Sequence, residues 1–144
     1  MIAETFCFAS AGAFFLVGLL AGIWKYHAIA TTIEARAPVY VDVAHRAALQ
    51  YAFACALMAE LAARGAWSNA TNLAASIVVI VFFASAVAGY LVHGALRDTD
   101  NQLRRPHVLG RRTIPPGVIR GFMMLLATAE VAGFAVLLTG FLAA

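Results

Sequence analysis

The four histidines of this 144-residue chain are its side chains best suited to ligate a metal or move a proton near neutral pH. They are His27, His45, His93 and His107. All four fall on the same side of a membrane when the apolar segments of the chain are threaded through one in order. Such residues gathered at one interface of a small hydrophobic protein predict a site there.

Four apolar segments must position these histidines. A bilayer core about 30 Å thick is spanned by roughly 20 helical residues. The segments that qualify are residues 5–26, 43–63, 73–96 and 117–142. The second is interrupted by polar residues, namely His45, Arg46, Gln50 and Glu60. A composition of 63% hydrophobic and 12% charged residues excludes an ordinary soluble domain. We therefore predict an all-α fold, an integral membrane bundle of four transmembrane helices forming one domain over residues 1–144.

The distribution of positive charge predicts how the bundle is oriented. Nearly all of the ten Lys and Arg residues fall on the histidine side, and only Arg64 falls on the other. By the positive-inside rule, the side with more Lys and Arg residues is predicted to face the cytoplasm, across a bacterial inner membrane. Both termini are then outside, and the Arg-rich link, residues 98–116, is inside. The net charge of +3 is then a signal for topology and lipid headgroups, and nucleic acid is not an expected partner.

The links on the cytoplasmic side are long, whereas the outer link, residues 64–72, is short enough to make helices two and three an antiparallel hairpin. The inner links cover residues 27–42 and 98–116. Loops of this length in a compact protein are usually functional or disordered. The histidines and the long links therefore point to the same face of the protein.

Polar residues on helices two and three converge at this inner face. On helix two, Asp42, Arg46 and Gln50 recur at a spacing of four, with His45 alongside. On helix three, the stripe is Tyr90, His93 and Arg97. We expect His45 and His93 to lie at similar depth, a geometry suited to a metal or a haem between helices. Arg46 and Arg97 could then pair with haem propionates. The alternative is that both histidines are interfacial residues, hydrogen-bonded to headgroups and loop backbone.

Two features of the apolar segments bear on how the helices pack. Gly18 and Gly22 form a small-xxx-small face on helix one, where another backbone can approach closely. Glu130 lies near the middle of helix four, where an ionised carboxylate costs at least ~2.5 kcal/mol. We expect Glu130 either to be hydrogen-bonded to a neighbouring helix or to line a polar cavity.

The order of these motifs resembles a known family. Helix one closes with Gly22-Ile23-Trp24, helix two opens with Ala44-His45 followed by Ala48-Leu49, and helix three carries Gly89-Tyr90 near its end. This pattern is similar to that of the styrene oxide isomerases and the related hydroxylaminobenzene mutases. The resemblance implies a homotrimer in which His45 is the axial ligand of haem b between protomers and Tyr90 orients the substrate.

The family's asparagine, two turns after the histidine, is replaced here by Gln50-Tyr51, which leaves the substrate and the reaction open. The chemistry that the resemblance implies is Lewis-acid catalysis by ferric iron on a small hydrophobic epoxide-like substrate. The C–O bond opens and the product is a carbonyl compound, inside a pocket that lipid keeps dry.

Two other function classes stay open. An electron-transfer cytochrome b would use His45 and His93 as paired axial ligands. A non-catalytic membrane scaffold would bind no cofactor, and its Arg-rich loop would dock on anionic lipid or on a partner. In every case the polar side chains within this small bundle favour a homo-oligomer, since lipid does not tolerate exposed polar groups.

Overall fold

A computed structural model describes residues 2–144 as four long helices and one short hairpin. The helices are α1 (Ile2–Thr31), α2 (Val39–Arg64), α3 (Asn69–Leu96) and α4 (Pro116–Leu142). The two strands between α3 and α4 are β1 (His107–Leu109) and β2 (Arg112–Ile114). The fold is all-α, as the sequence predicts.

The helices run antiparallel to one another in chain order. At the turn between α2 and α3, Asn72 donates its side-chain amide to the carbonyl of Ala62 at 3.1 Å. Helix α4 returns along α3 so closely that a Cβ on Gly133 would lie 2.5 Å from Cγ2 of Val79. Helices two and three thus form the expected antiparallel hairpin, and α1 and α4 flank it.

Helices α2 and α3 form the centre of the bundle, because each contacts the other three helices. Ten of the 26 residues of α2 and ten of the 28 in α3 are buried, against three of 27 in α4. Helices α1, α3 and α4 are each long and apolar enough to cross a membrane, whereas α2 is not sufficiently apolar to be counted with them. The polar side chains of α2 that lower its hydropathy, Arg46, Gln50 and Glu60, are exposed, whereas its buried face is made mainly of small and apolar residues.

Large apolar side chains remain exposed along the outer helices. On α1 these include Leu16, Leu20 and Ile23, and on α4 they include Leu125 and Val131. A soluble monomer rarely exposes apolar surface of this extent. The exposure is therefore consistent with a membrane location.

The connections differ from expectation in two ways. The first inner link contains only residues 32–38, because α1 continues to Thr31 and α2 begins already at Val39. Hydropathy marks the apolar part of each helix, while the polar ends remain helical beyond it. The second inner link contains a hairpin in which His107 pairs with Ile114, and its turn uses Gly110 at φ +60°. Glycine adopts this left-handed conformation without the steric penalty of a side chain.

Candidate functional site

His45 faces helix α1. Its Nδ1–H donates to the backbone carbonyl of Gly18 at 2.7 Å. The ring occupies the space left by Gly22, where a Cβ would lie 2.9 Å from Cε1 of the imidazole. Next to it, Gly18 is covered by Leu49, whose backbone nitrogen would lie 3.2 Å from an added Cβ. The small-residue face predicted on α1 is therefore confirmed as the surface that receives α2.

The hydrogen bond to Gly18 determines which nitrogen of His45 can act as a ligand. A carbonyl oxygen only accepts, so Nδ1 must carry the proton. Nε2 then presents its lone pair, and no residue between 2 and 144 hydrogen-bonds to it. Metal-ligating histidines characteristically donate their other ring N–H to a carbonyl or a carboxylate in this way. The imidazole is half-buried and fixed in orientation, which fits a single axial ligand of haem.

Three charged residues form a cluster close to His45 in sequence and structure. Asp42, three residues before His45, binds Nζ of Lys25 at 2.5 Å and Nη2 of Arg46 at 3.0 Å. The Arg46 side chain is largely exposed, with a relative accessibility of 64%. Arg46 is thus next to His45 in sequence and is held at the rim by Asp42, where it could meet a propionate.

His93 has different partners from His45. Its Nδ1 donates to Oδ1 of Asp98 at 2.8 Å, and the imidazole packs against Tyr40 with centroids 5.2 Å apart. The second carboxylate oxygen of Asp98 accepts the backbone N–H of Gly110. Asp98 therefore ties the end of α3 to the hairpin turn and fixes the His93 ring at the same time.

The ionisation of Asp98 reflects these contacts. Burial of the carboxyl group opposes ionisation, but the hydrogen bonds from Gly110 and His93 outweigh it and hold the pKa of Asp98 below its usual value. Asp98 is consequently an anion at neutral pH, and its charge is matched by two donors. These two hydrogen bonds stabilise the conformation of the loop after α3.

Tyr90 and Tyr51 line a small enclosed cavity of about 80 Å³ between α2, α3 and α4. Tyr51 stacks on Phe83 at a centroid distance of 3.9 Å, and Tyr90 stacks on Tyr40 at 5.9 Å. The remaining wall includes Ser85, Gly89, Gln102, Phe122, Met123 and Leu126. Neither phenol oxygen of Tyr51 or Tyr90 has a hydrogen-bond partner within residues 2–144, so both are available to a ligand.

Glu130 and Gln50 are two further polar residues within the helices. Oε1 of Glu130 is buried without a hydrogen-bond partner among the described residues, and Glu130 lies within electrostatic range of Tyr51 and Tyr90. The expectation of a hydrogen bond to a neighbouring helix is thus not met at this oxygen. Gln50 is exposed on the outer surface of α2. It lies outside the residues that line the tyrosine cavity.

The structure does not bring His45 and His93 into one site. His45 packs on Gly18 and Gly22 of α1, whereas His93 packs under Tyr40 at the interface of α2 and α3. No group of three or more His, Cys, Asp or Glu side chains among residues 2–144 is arranged to hold a metal ion. The sequence predicts one slot lined by both histidines, because they are expected at similar depth. In the structure, the two imidazoles lie in separate environments. Arg97 lies with His93, at an open pocket of the inner face.

Several of the groups around the histidines cannot be identified from the sequence. Gly18 is identifiable as a packing residue, but its carbonyl as an acceptor for His45 is not. Tyr40 lies in the first turn of α2, and its hydroxyl accepts the backbone N–H of Gln102, 62 residues away. Only the tertiary fold brings such groups together. His27 is exposed, and His107 is buried in the hairpin with its Nδ1 donating to the carbonyl of Gln102.

No family model, curated protein sequence or solved structure matches this chain.

Proposed function

We propose that the protein is a membrane isomerase that binds haem b through His45 and rearranges a small hydrophobic epoxide-like substrate. The observation that carries the proposal is the 2.7 Å hydrogen bond from His45 Nδ1–H to the Gly18 carbonyl. It leaves Nε2 as a neutral, oriented nitrogen ligand at a half-buried position. A single such ligand is sufficient for haem, because the porphyrin supplies four more. When bound, haem iron would supply a Lewis acid for a substrate oxygen.

The two tyrosines are proposed to bind and orient the substrate. Tyr51 and Tyr90, whose hydroxyls have no hydrogen-bond partner among residues 2–144, line a cavity walled by Phe122, Met123 and Leu126. A phenol donates a hydrogen bond to an oxygen atom while its ring contacts apolar surface. Apolar walls and surrounding lipid exclude water, which would otherwise trap a reactive intermediate. Gln50, exposed on α2, is proposed to contribute at the edge of the site.

Assembly is part of the proposal. His45 packs on Gly18 and Gly22 at the α1 side of α2, whereas Tyr90 stacks on Tyr40 between α2 and α3. A homotrimer, as the resemblance to styrene oxide isomerases implies, would place a haem against the second chain and cover the exposed Gln50. Arg46, at the rim beside His45, would face the haem propionates. All four helices, α2 included, would span the membrane.

The optical spectrum of the detergent-purified protein, expressed with ample haem, tests this function. We expect a Soret band in wild type and in His27→Ala, whose side chain is exposed, and its loss in His45→Ala with assembly retained. Tyr90→Phe should keep the spectrum and lower the turnover of styrene oxide, used as the probe substrate, because it removes only a hydroxyl.

Two outcomes would replace this function by another. A six-coordinate low-spin spectrum that becomes five-coordinate in His93→Ala would identify an electron-transfer cytochrome. Colourless wild-type protein would exclude haem and favour the scaffold. The separate environments of His45 and His93 argue against paired axial ligation within one chain.

A further inference from the structure

An open pocket of about 540 Å³ lies at the inner end of the bundle, apart from His45 and from the tyrosine cavity. Its walls come from both inner links. The α1–α2 link supplies Arg36 and Pro38, and the end of α3 with the loop after it supplies Arg97, Asp98 and Arg104. A volume of this order is that of a small-molecule site. The two inner links therefore border an open pocket in addition to joining helices.

Two arginines at this pocket have no acidic partner. Arg104 is paired with Asp100 at 3.1 Å, and both oxygens of Asp98 are occupied by donors. Arg36 and Arg97 make no ion pair with any residue between 2 and 144. One guanidinium is thus left unneutralised on each side of the pocket, which favours an anionic occupant.

The backbone holds both arginines in place. Arg97 caps α3 in the left-handed conformation at φ 51°, with its N–H donated to the carbonyl of His93. Ala35, next to Arg36, has φ 48°, and the Arg36 N–H donates to the hydroxyl of Thr32. These are the two non-glycine residues with positive φ in the part of the chain that the structure describes. Such conformations cost free energy and are concentrated at ligand sites.

The two arginines offer more donors than one carboxylate can take, since a single planar fork already occupies both oxygens of a carboxylate. A phosphate has further oxygens for the second arginine.

We propose that this pocket binds the phosphate group of a glycerophosphate-type ester, held between Arg36 and Arg97. The volume leaves room for the organic part of the ester beside the phosphate. The same chemistry is available from two sources, a phospholipid headgroup at the inner membrane surface or a soluble phosphate ester. The site is independent of haem binding at His45.

Two binding measurements on the full chain test the proposal and separate the sources. In the first, protein in phosphatidylcholine nanodiscs is titrated with radiolabelled glycerol 3-phosphate at constant ionic strength. In the second, native mass spectrometry counts the phosphatidylglycerol molecules that the protein retains. Saturable binding in the first identifies a soluble ester as ligand, and selective retention in the second identifies the headgroup; each supports the site.

The variants decide whether the pocket is responsible. Arg36→Gln and Arg97→Gln should each weaken binding about tenfold, the usual effect of losing a charge-assisted hydrogen bond. Arg97→Lys should weaken it as well, because the ammonium lacks the planar fork. Arg111→Gln is the matched control: it removes the same charge from an exposed hairpin residue outside the pocket and should leave binding within twofold.

Three results would overturn the proposal. The first is the absence of saturable binding in both measurements. The second is an equal loss in Arg111→Gln and Arg97→Gln, which would mean attraction by net charge alone. The third is displacement of glycerol 3-phosphate by an equal concentration of succinate, which would remove the preference for phosphate. All four variants change exposed side chains, so the fold is expected to persist.

Discussion

The imidazole of His45 occupies the space that Gly22 leaves on helix α1. A Cβ at position 22 would lie 2.9 Å from Cε1 and 3.0 Å from Nδ1 of the ring. Close packing of two helices and the orientation of a candidate iron ligand therefore depend on the same glycine. The ring cannot keep both its place and its 2.7 Å hydrogen bond to Gly18 if position 22 acquires a side chain.

We predict that Gly22→Ala displaces the His45 ring and lowers haem occupancy. The added methyl group meets ring atoms, so the imidazole must move and the Nδ1–Gly18 hydrogen bond must lengthen. Loss of the hydrogen bond that orients a ligating histidine typically reduces metal affinity 10–100-fold. Haem titration of the apoprotein, followed at the Soret band, measures the change. Gly12→Ala in the same helix has open space around its Cβ and should bind haem like wild type. Equal affinities in the two variants would count against His45 as the ligand.

Close helix packing at Gly18 and Gly22 of α1 is predicted from the sequence, but neither the helix that packs there nor the direction in which His45 faces is. Helical periodicity shows which residues share a face, as with Asp42 and Arg46, but not which neighbour that face meets. The sequence pattern therefore predicts that His45 faces His93 and Tyr90, whereas in the structure His45 contacts α1. Gly18 and Gly22 were recognised as a packing surface because small side chains at that spacing have few other structural uses in a membrane helix.

The contacts of the loop after α3 could not be predicted from the sequence either. The His93–Asp98 pair is local, and the polar residues after α3 suggest some capping role for Asp98. The N–H of Gly110 reaches the same carboxylate only because a hairpin turns the chain back across twelve residues. Strands of three residues are too short to produce a clear alternating pattern. The pocket between Arg36 and Arg97 could not be predicted for the same reason, since its two walls are distant in sequence.

Helix α4 should be sensitive to Gly133→Ala. The new Cβ would meet Cγ2 of Val79 at 2.5 Å and the backbone oxygen of Ala75 at 3.0 Å. A side chain can rotate away but a backbone oxygen cannot, so we expect a destabilisation of about 1–3 kcal/mol from overpacking. Thermal unfolding in detergent measures it. Gly121→Ala, also in α4 and with open space around its Cβ, should be neutral or stabilising by up to about 1 kcal/mol. A stable Gly133→Ala protein would mean that α4 is not packed against α3 as described.

We predict that the loop held by Asp98 loses stability in acid. The pKa of Asp98 is below the unfolded value, so ionised Asp98 stabilises the folded loop above about pH 3.9 and loses this effect as the pH falls through the lower folded-state pKa. Wild type should therefore be more stable than Asp98→Asn at neutral pH, and the difference should disappear in acid. Thermal unfolding of both proteins as a function of pH tests the sign. Asp100→Asn, at an exposed ion pair, should show a much smaller difference. A difference in thermal stability between wild type and Asp98→Asn that stays constant down to pH 2 would show that ionised Asp98 does not stabilise the loop.

The orientation predicted from charge can be tested with two introduced cysteines. Arg112→Cys lies in β2 of the Arg-rich link, and Ala66→Cys lies in the short link between α2 and α3. The native Cys7 and Cys55 are buried, so they should contribute little labelling. In intact cells, a membrane-impermeant maleimide should modify Ala66→Cys and leave Arg112→Cys unmodified until the membrane is permeabilised. This result is expected because the positive charges of the inner links are retained on the cytoplasmic side. Labelling of Arg112→Cys from outside would invert the topology and place His93 and the Arg36–Arg97 pocket on the opposite face. Labelling of both positions from outside would mean that α3 does not cross the membrane.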